Sequence, residues 1–330
     1  MENMEIKNKK SQLTGKKILI TGGTGLVGSH LAEKLIKIGA NVIIPNRSYD
    51  PHSYFATQYL NKKCVLVNGD VKNFTRIFDI ITKYEVDYIF HLAAQPIVET
   101  AYYNPLETFS TNIMGTANIL EAARLYGKTK AIIVASSDKA YGKKGSKYVE
   151  TDPLKGDHPY ESSKSSADLI TQTYFKTYNL PVVITRFGNI YGEGDLNFSR
   201  LIPGIMQAII ENKVLKIRSN GKYIRDYLYV KDVVAAYLLL AKNINKVRGE
   251  AFNFGSNETL SVIQLVNKIS KTLNKKIKYK ILNTARNEIP YQSLDYSKIK
   301  TKLRWSPKSS LILTINNIFK WYKTILLNNQ

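Results

Sequence analysis

Two pairs of residues in this 330-residue chain have the types and spacing to do chemistry. Tyr160 and Lys164 stand four apart in a stretch of helical pattern, so they share one helix face. A phenol with a pKa of about 10 is a poor base at neutral pH. A neighbouring ammonium favours the phenolate, which can then take a proton from an alcohol while hydride leaves to an acceptor. Asp138 and Lys139 form the second pair, directly after Ser136-Ser137 at the end of an apolar run. An acid and a base set side by side can divide a proton-transfer task between them.

The hydride needs an acceptor, and the N-terminal region offers a place for one. TGGTGLVG (21–28) follows an apolar run and opens an amphipathic one. Gly23, Gly25 and Gly28 fit G-x-G-x-x-G, and Gly22, Gly25 and Gly28 fit the G-x-x-G-x-x-G variant. Glycines permit a tight turn and let a pyrophosphate approach bare N–H groups at a helix start. A dinucleotide site is expected here, with Leu26 and Val27 in the loop and Val71, Leu92 and Ala93 completing the wall. After the second strand the chain reads Asn46-Arg47, with no carboxylate to bond a ribose 2′-OH. Arg47 can pair with a phosphate, which favours NADP over NAD, with NAD left open. Asp70, after the third strand, is placed to accept from the adenine amino group, or to serve as an ordinary turn residue.

Positioning these groups requires alternating elements. Strands are read at 16–21, 41–45, 63–70, 86–94, 131–137 and 181–186, with helices at 27–38, 74–83, 105–126, 160–178 and 230–243. This alternation implies an α/β protein: a Rossmann doubly wound parallel sheet with a smaller C-terminal substrate-binding cap. Residues 1–14 read as a flexible tail. The cofactor domain is expected over 15–187 plus about 222–255, and the cap over about 188–221 and 256–330. Ligands in such proteins lie in the cleft between the two parts.

Composition sets outer limits. The net charge of +22 is spread along the chain without a dense basic block interleaved with aromatics, so nucleic acid is not an expected partner. A positive field does draw in a diphosphate. No apolar run is long enough for a transmembrane helix, so no membrane partner is expected. The N-terminus lacks a signal-like apolar core, and Cys64 stands alone, which suits a cytoplasmic protein without disulfides. The histidines and the cysteine show no metal spacing, and none is expected to hold a metal.

Taken in order, TGGTGLVGSHL, GDV, HLAAQ, NIMGTANILEAAR, ASSDKAYG, PYESSK, TRFGNIYG and RDYLYVKDV resemble the extended short-chain dehydrogenase/reductases that act as nucleotide-sugar epimerases and dehydratases. The likeness covers about 16–235. Ser137-Asp138-Lys139 is similar to the tripeptide of the CDP-glucose 4,6-dehydratase group, and GDLNFSRLIPG (194–204) to a loop of that group. The resemblance implies C4 oxidation, loss of water across C5 and C6, and reduction at C6 with the cofactor regenerated. It implies that Ser137 bonds the sugar O4, that Asp138 and Lys139 share the acid and base roles in an order left open, and that Asn189, Arg200 and Arg225 hold the nucleotide-diphosphate sugar. Gln95, at a strand end, is expected to touch the sugar, and His91 to pack against the cofactor loop. Helices 105–126 and 160–178 resemble the pair that builds the family's homodimer. A 4-epimerase or ketoreductase is the alternative within the family. A non-catalytic NADP-binding sensor is the alternative outside it.

Overall fold

The computed structural model describes residues 11–284 and 289–327. Most of the expected tail falls on residues 1–10, outside the described residues. Leu13, at its end, is fully buried in the main core.

Seven parallel strands form the central sheet: β1 (Lys17–Thr21), β2 (Asn41–Asn46), β3 (Val65–Asn68), β4 (Tyr88–His91), β5 (Ala131–Ala135), β6 (Val182–Phe187) and, from far along the chain, β10 (Ala251–Phe254). Their order is β10-β6-β5-β4-β1-β2-β3. The chain reverses its direction of build between β1 and β4, and in such sheets the ligand crevice opens outside the carboxyl ends at that point. Every residue of β4 and β6 is buried, as expected of strands covered on both faces. The Leu26–Lys37 and Val230–Lys242 helices cover one face. The Phe74–Lys83 and Gly115–Tyr126 helices cover the other, Ile77, Ile80 and Ile81 forming the apolar stripe of the first. Asn73 caps that helix by accepting from the Arg76 N–H at 2.9 Å.

The remaining strands are β7 (Asn189–Tyr191), β8 (Leu215–Ile217), β9 (Ile224–Tyr229), β11 (Thr259–Ser261), β12 (Tyr279–Ile281) and β13 (Tyr291–Gln292). β9 pairs with β7, β11 and β13, and β8 pairs with β12. With the Leu201–Ile210, Val262–Leu273 and Leu311–Leu327 helices they enclose a second core. The segment 222–255, read as one return to the cofactor domain, is thus divided. β9 belongs to the small sheet, whereas the Val230–Lys242 helix and β10 belong to the large one.

The helix expected at 105–126 is interrupted. It runs Pro105–Phe109, then makes a π-helical turn at Ser110–Met114, then resumes at Gly115–Tyr126. Within this turn the Asn112 side chain reaches its neighbours: its Nδ2 donates to Ser163 Oγ at 2.9 Å and to the Gln95 carbonyl at 3.2 Å. A side chain at Gly115 would meet Val71 at 2.7 Å.

The Pro159–Tyr178 helix is tied to β6 by a two-pronged ion pair. Arg186 Nε and Nη2 donate to Asp168 at 2.8 and 2.9 Å, both residues almost fully buried. Removing one partner leaves a buried charge uncompensated. Asp168→Ala is therefore expected to lower unfolding free energy by about 3–5 kcal/mol in urea titration. An Asp168→Leu/Arg186→Met double substitution should recover a large part of that loss; if it does not, the pair is not what limits stability here.

Candidate active site

A cleft of about 1910 Å³ runs along the carboxyl ends of the large sheet and under the small one. Gly22, Gly25, Leu26, Val27, Gly28, Asn46, Arg47, Asp70, Val71, Leu92, Ala93, Ser137, Lys139, Tyr160, Lys164, Asn189, Arg200 and Arg225 all line it. The structure thus brings nearly every sequence-derived candidate to one wall or another of a single space. Asp138 and Gln95 are the exceptions.

The cofactor end is shaped by close backbone contact. A Cβ on Gly28 would lie 2.1 Å from the Gly22 carbonyl oxygen, and one on Gly22, whose φ is +68°, 2.8 Å from the Ala93 nitrogen. A Cβ on Gly25 would meet only the Gly22 oxygen, at 3.4 Å, because it faces the cleft. Gly25 is the N-cap of the Leu26–Lys37 helix, and no side chain caps that helix. Its first-turn amides are therefore left to an anion in the cleft. This bare, tightly turned cradle fits a dinucleotide pyrophosphate.

Behind it, His91 ties four elements together. Its Nδ1 lies 2.8 Å from Thr21 Oγ1 and its Nε2 3.0 Å from Thr116 Oγ1, while Thr116 donates to the Asn112 carbonyl at 2.6 Å. Burial, helped by Lys164, pushes the imidazole pKa down to about 3, so the ring stays neutral in the physiological range. It packs under the loop, as expected.

At the catalytic end, Lys164 Nζ donates to the Ala135 carbonyl at 3.0 Å. Burial brings its pKa down to about 8, opposed by the Asp168 charge. Tyr160 is buried beside it. The phenol is pushed up to about 12, by burial first and then by the Asp138 charge, with Arg200 and a hydrogen bond to Ser137 acting in the opposite direction. The lowering expected from Lys164 is not among the influences on the phenol, whose shift is set by desolvation, Asp138, Arg200 and Ser137. Ser137 Oγ also donates to Asp138 Oδ1 at 3.0 Å and accepts the Lys139 N–H at 3.2 Å.

Asp138 is 2% exposed and lies beneath the wall rather than on it. Its Oδ1 accepts from Lys139 Nζ at 3.1 Å, and that ammonium also reaches Asn189 Oδ1 at 3.4 Å. The pair is therefore no surface ion pair: Lys139 lines the cleft and Asp138 lies in the layer below. Arg200 is held by Asp195 at 3.2 Å, and Arg225 lies over the Tyr223 ring at 5.7 Å. Gln95 corrects the sequence reading. Its amide donates to the Ile97 carbonyl at 3.0 Å and Thr108 Oγ1 at 2.9 Å, and its oxygen accepts the Ile97 N–H at 2.6 Å. The side chain is thus engaged by Ile97 and Thr108 and is not part of the cleft lining.

Over residues 19–318 the chain matches a family model described as GDP-mannose 4,6 dehydratase. The chain belongs to this family. Among its relatives, a CDP-glucose 4,6-dehydratase of Salmonella typhimurium is 31% identical over 94% of this chain and 91% of that protein. A dTDP-glucose 4,6-dehydratase from Bacillus anthracis, solved in complex with NAD, has a TM-score of 0.82 at 27% identity, covering 94% of this chain and 97% of that one. A UDP-glucose 4-epimerase from Thermotoga maritima, solved with UDP-glucose, reaches 0.84 at 29% identity, covering 94% and 99%. The resemblance in the motifs and the expected α/β fold are borne out. Among the described residues no helix is long and apolar enough to cross a membrane.

Sequence reasoning missed three cleft residues of this family member. Ser136 Oγ, His158 Nδ1 and Gln292 Nε2 are buried without a hydrogen-bond partner, and all three residues line the cleft. Buried polar atoms are normally paired, so unpaired ones gathered on a cleft wall mark groups that a ligand can satisfy. Ser136 was legible from its place beside Ser137. Nothing in the sequence distinguishes His158 or Gln292 from packing residues.

The Lys164 shift fixes the sign of a stability test. Its folded-state pKa lies below the unfolded value of 10.5, so folding penalises the charged form. The penalty is complete below about pH 8, fades between there and 10.5, and is gone above. At pH 7, Lys164→Met should abolish turnover yet raise stability by about 1–3 kcal/mol. Chemical denaturation at pH 7 and pH 11 should show the gain at the lower pH only.

Proposed function

We propose that the protein is a nucleotide-sugar 4,6-dehydratase acting on CDP-glucose and releasing the CDP-4-keto-6-deoxy sugar. The observation that carries this reading is the joining of Tyr160, Lys164, Ser137 and Lys139 at one end of the cleft that begins at the glycine cradle, with Asp138 bonded to Ser137 and Lys139 directly beneath them. An epimerase or reductase needs the first three groups. The acid–base pair beside them is what an elimination requires in addition.

The glycine cradle of Gly22, Gly25 and Gly28 would hold the dinucleotide, whose nicotinamide would supply the hydride chemistry at C4 and C6. Tyr160 takes the O4 proton, with Ser137 orienting that oxygen and the Lys164 ammonium stabilising the phenolate. The new C4 ketone acidifies the C5 proton. Asp138 and Lys139 divide the remaining work: one removes the C5 proton, and the other protonates the departing C6 hydroxyl, so that one water leaves. The C5 position regains a proton in the final reduction. Asn189, Arg200 and Arg225 hold the sugar and diphosphate, Arg being suited to phosphate by its planar fork. Ser136, His158 and Gln292 offer unpaired polar atoms to the same ligand. Overall identity is 31% to a CDP-glucose and to a dTDP-glucose 4,6-dehydratase alike, so the choice of nucleotide is supported by the likeness of Ser137-Asp138-Lys139 to the CDP-glucose 4,6-dehydratase tripeptide.

The cofactor is NAD or NADP. Arg47, with no carboxylate beside it on β2, supports NADP; the NAD bound by the Bacillus anthracis dehydratase supports the other. The lone Cys64 and a nucleotide-sugar substrate suit a cytoplasmic enzyme. We further propose a homodimer through helices 105–126 and 160–178, which carry Leu106 (74% exposed), Met114 (55%), Leu125 (50%) and Leu169 (51%) at the surface. Apolar exposure of this kind is what a second copy would cover.

Incubation with CDP-, GDP-, UDP- and dTDP-hexoses, followed by mass spectrometry, tests the activity. CDP-glucose should lose one water and the others less readily; an isomeric product of unchanged mass would favour the epimerase reading. Tyr160→Phe should abolish water loss while the cofactor stays bound, and an active Tyr160→Phe enzyme would falsify the mechanism. In sedimentation the wild type should run as a dimer at micromolar concentration, and Leu169→Glu should shift it toward monomer.

A further inference from the structure

The adenosine end of the cleft carries four charged side chains from three elements. Arg47 follows β2, Asp70 and Lys72 follow β3, and Glu107 belongs to the Pro105–Phe109 helix. Arg47 Nη1 lies 3.4 Å from Asp70 Oδ2 and 3.7 Å from Glu107 Oε1. Lys72 Nζ lies 2.8 Å from Glu107 Oε2 and 3.8 Å from Asp70 Oδ2. Two cations and two carboxylates thus alternate and cancel. Arg47 and Asp70 line the cleft, with Lys72 and Glu107 behind them.

The four are not equivalent. Asp70 is bound into its own turn, where Oδ1 accepts the Lys72 backbone N–H at 2.9 Å. Glu107 is held by side chains alone on its carboxylate: Lys72 Nζ and, at 3.2 Å, Thr111 Oγ1. The Lys72 hydrogen bond keeps its carboxyl below the usual range, so it is ionised throughout the neutral region. Arg47 is 61% exposed and joined to the set by contacts of 3.4 Å to Asp70 and 3.7 Å to Glu107, which makes it the cation an incoming anion can recruit.

We propose that Glu107 is the positioning residue that selects between NAD and NADP, by competing with a 2′-phosphate for Arg47. The proposal rests on the dinucleotide reading of the glycine loop and is independent of the sugar. In dinucleotide folds a carboxylate at the end of the second strand bonds the ribose and repels a phosphate there. This chain has Asn46-Arg47 at that point, and the negative charge arrives instead through space from another helix. A 2′-phosphate must draw Arg47 away from Asp70 and then sit near Glu107. A ribose hydroxyl requires neither.

The test is the pair of dissociation constants for NAD and NADP, measured by calorimetry without substrate. Between partly exposed charges the effect is several-fold rather than thousandfold, so Glu107→Gln should tighten NADP relative to NAD by about fivefold. NAD affinity itself should move less than about twofold. The gain should vanish in an Arg47→Gln background, shrink at about 1 M salt where such charges are screened, and be reversed by Glu107→Asp. An unchanged ratio in a folded Glu107→Gln protein would overturn the proposal. So would equal weakening of both cofactors, which would mean that Glu107 only braces Lys72, or a gain that persists without Arg47. If the wild type binds neither dinucleotide, the reading of the glycine loop fails, and the proposal with it.

Discussion

Lys164 has to be held as a cation where water is scarce. Its ammonium rests on the Ala135 carbonyl at the end of β5, and among the described residues no carboxylate contacts it. Four residues on, Asp168 supplies a negative charge at a distance, and Asp168 is itself locked to Arg186 on β6. The Pro159–Tyr178 helix is therefore pinned to two adjacent strands. Slipping it by one residue would turn each side chain by about 100° and carry Tyr160 out of the cleft. The phenol's position is thus a consequence of where a lysine and an aspartate, neither of which needs to touch substrate, can be buried without being left alone.

The sheet was legible because its strands are short apolar runs, which only burial on both faces explains. Runs such as Ala131–Ala135 and Val182–Phe187 need helices on either side, and the intervening segments have the period to supply them. The glycine loop was legible for a related reason. The contacts at Gly22 and Gly28 exclude a Cβ, so the backbone constraint is written directly into residue type. Tyr160 and Lys164 were legible because helical spacing alone brings them together.

What escaped was set by partners distant in sequence. The π turn at Ser110–Met114 carries the Asn112 side chain to Ser163 and Gln95, and no local pattern announces such a meeting. The Gln95 side chain likewise takes its position from Thr108, thirteen residues away. Burial of Asp138 depends on a different part of the chain. Gly188 and Asp226 stand beside it: a Cβ on Gly188 would lie 3.1 Å from Asp226 Cβ and 3.9 Å from Asp138 Oδ2. A strand-end aspartate followed by a lysine looks like a solvated pair until the small sheet is laid over it. The direction of the Tyr160 shift was missed for the same reason, since the enclosure that raises it is built by tertiary packing.

The two sheets are joined with almost no slack. Only Gly188 separates β6 from β7, and the Val230–Lys242 helix begins at the residue after β9. One of these seams leaves the large sheet for the small one and the other returns, each without a linker, and residues 255–258 cross once more from β10 to β11. The small sheet over the cleft is accordingly continuous with the large sheet beneath it, and a small sheet grafted from a relative would have to match both seams in register. Natural diversification of substrate choice on this scaffold is then channelled into side-chain exchange on fixed strands and into the longer connections, such as the one between β7 and the Leu201–Ile210 helix, rather than into exchange of the lid as a module.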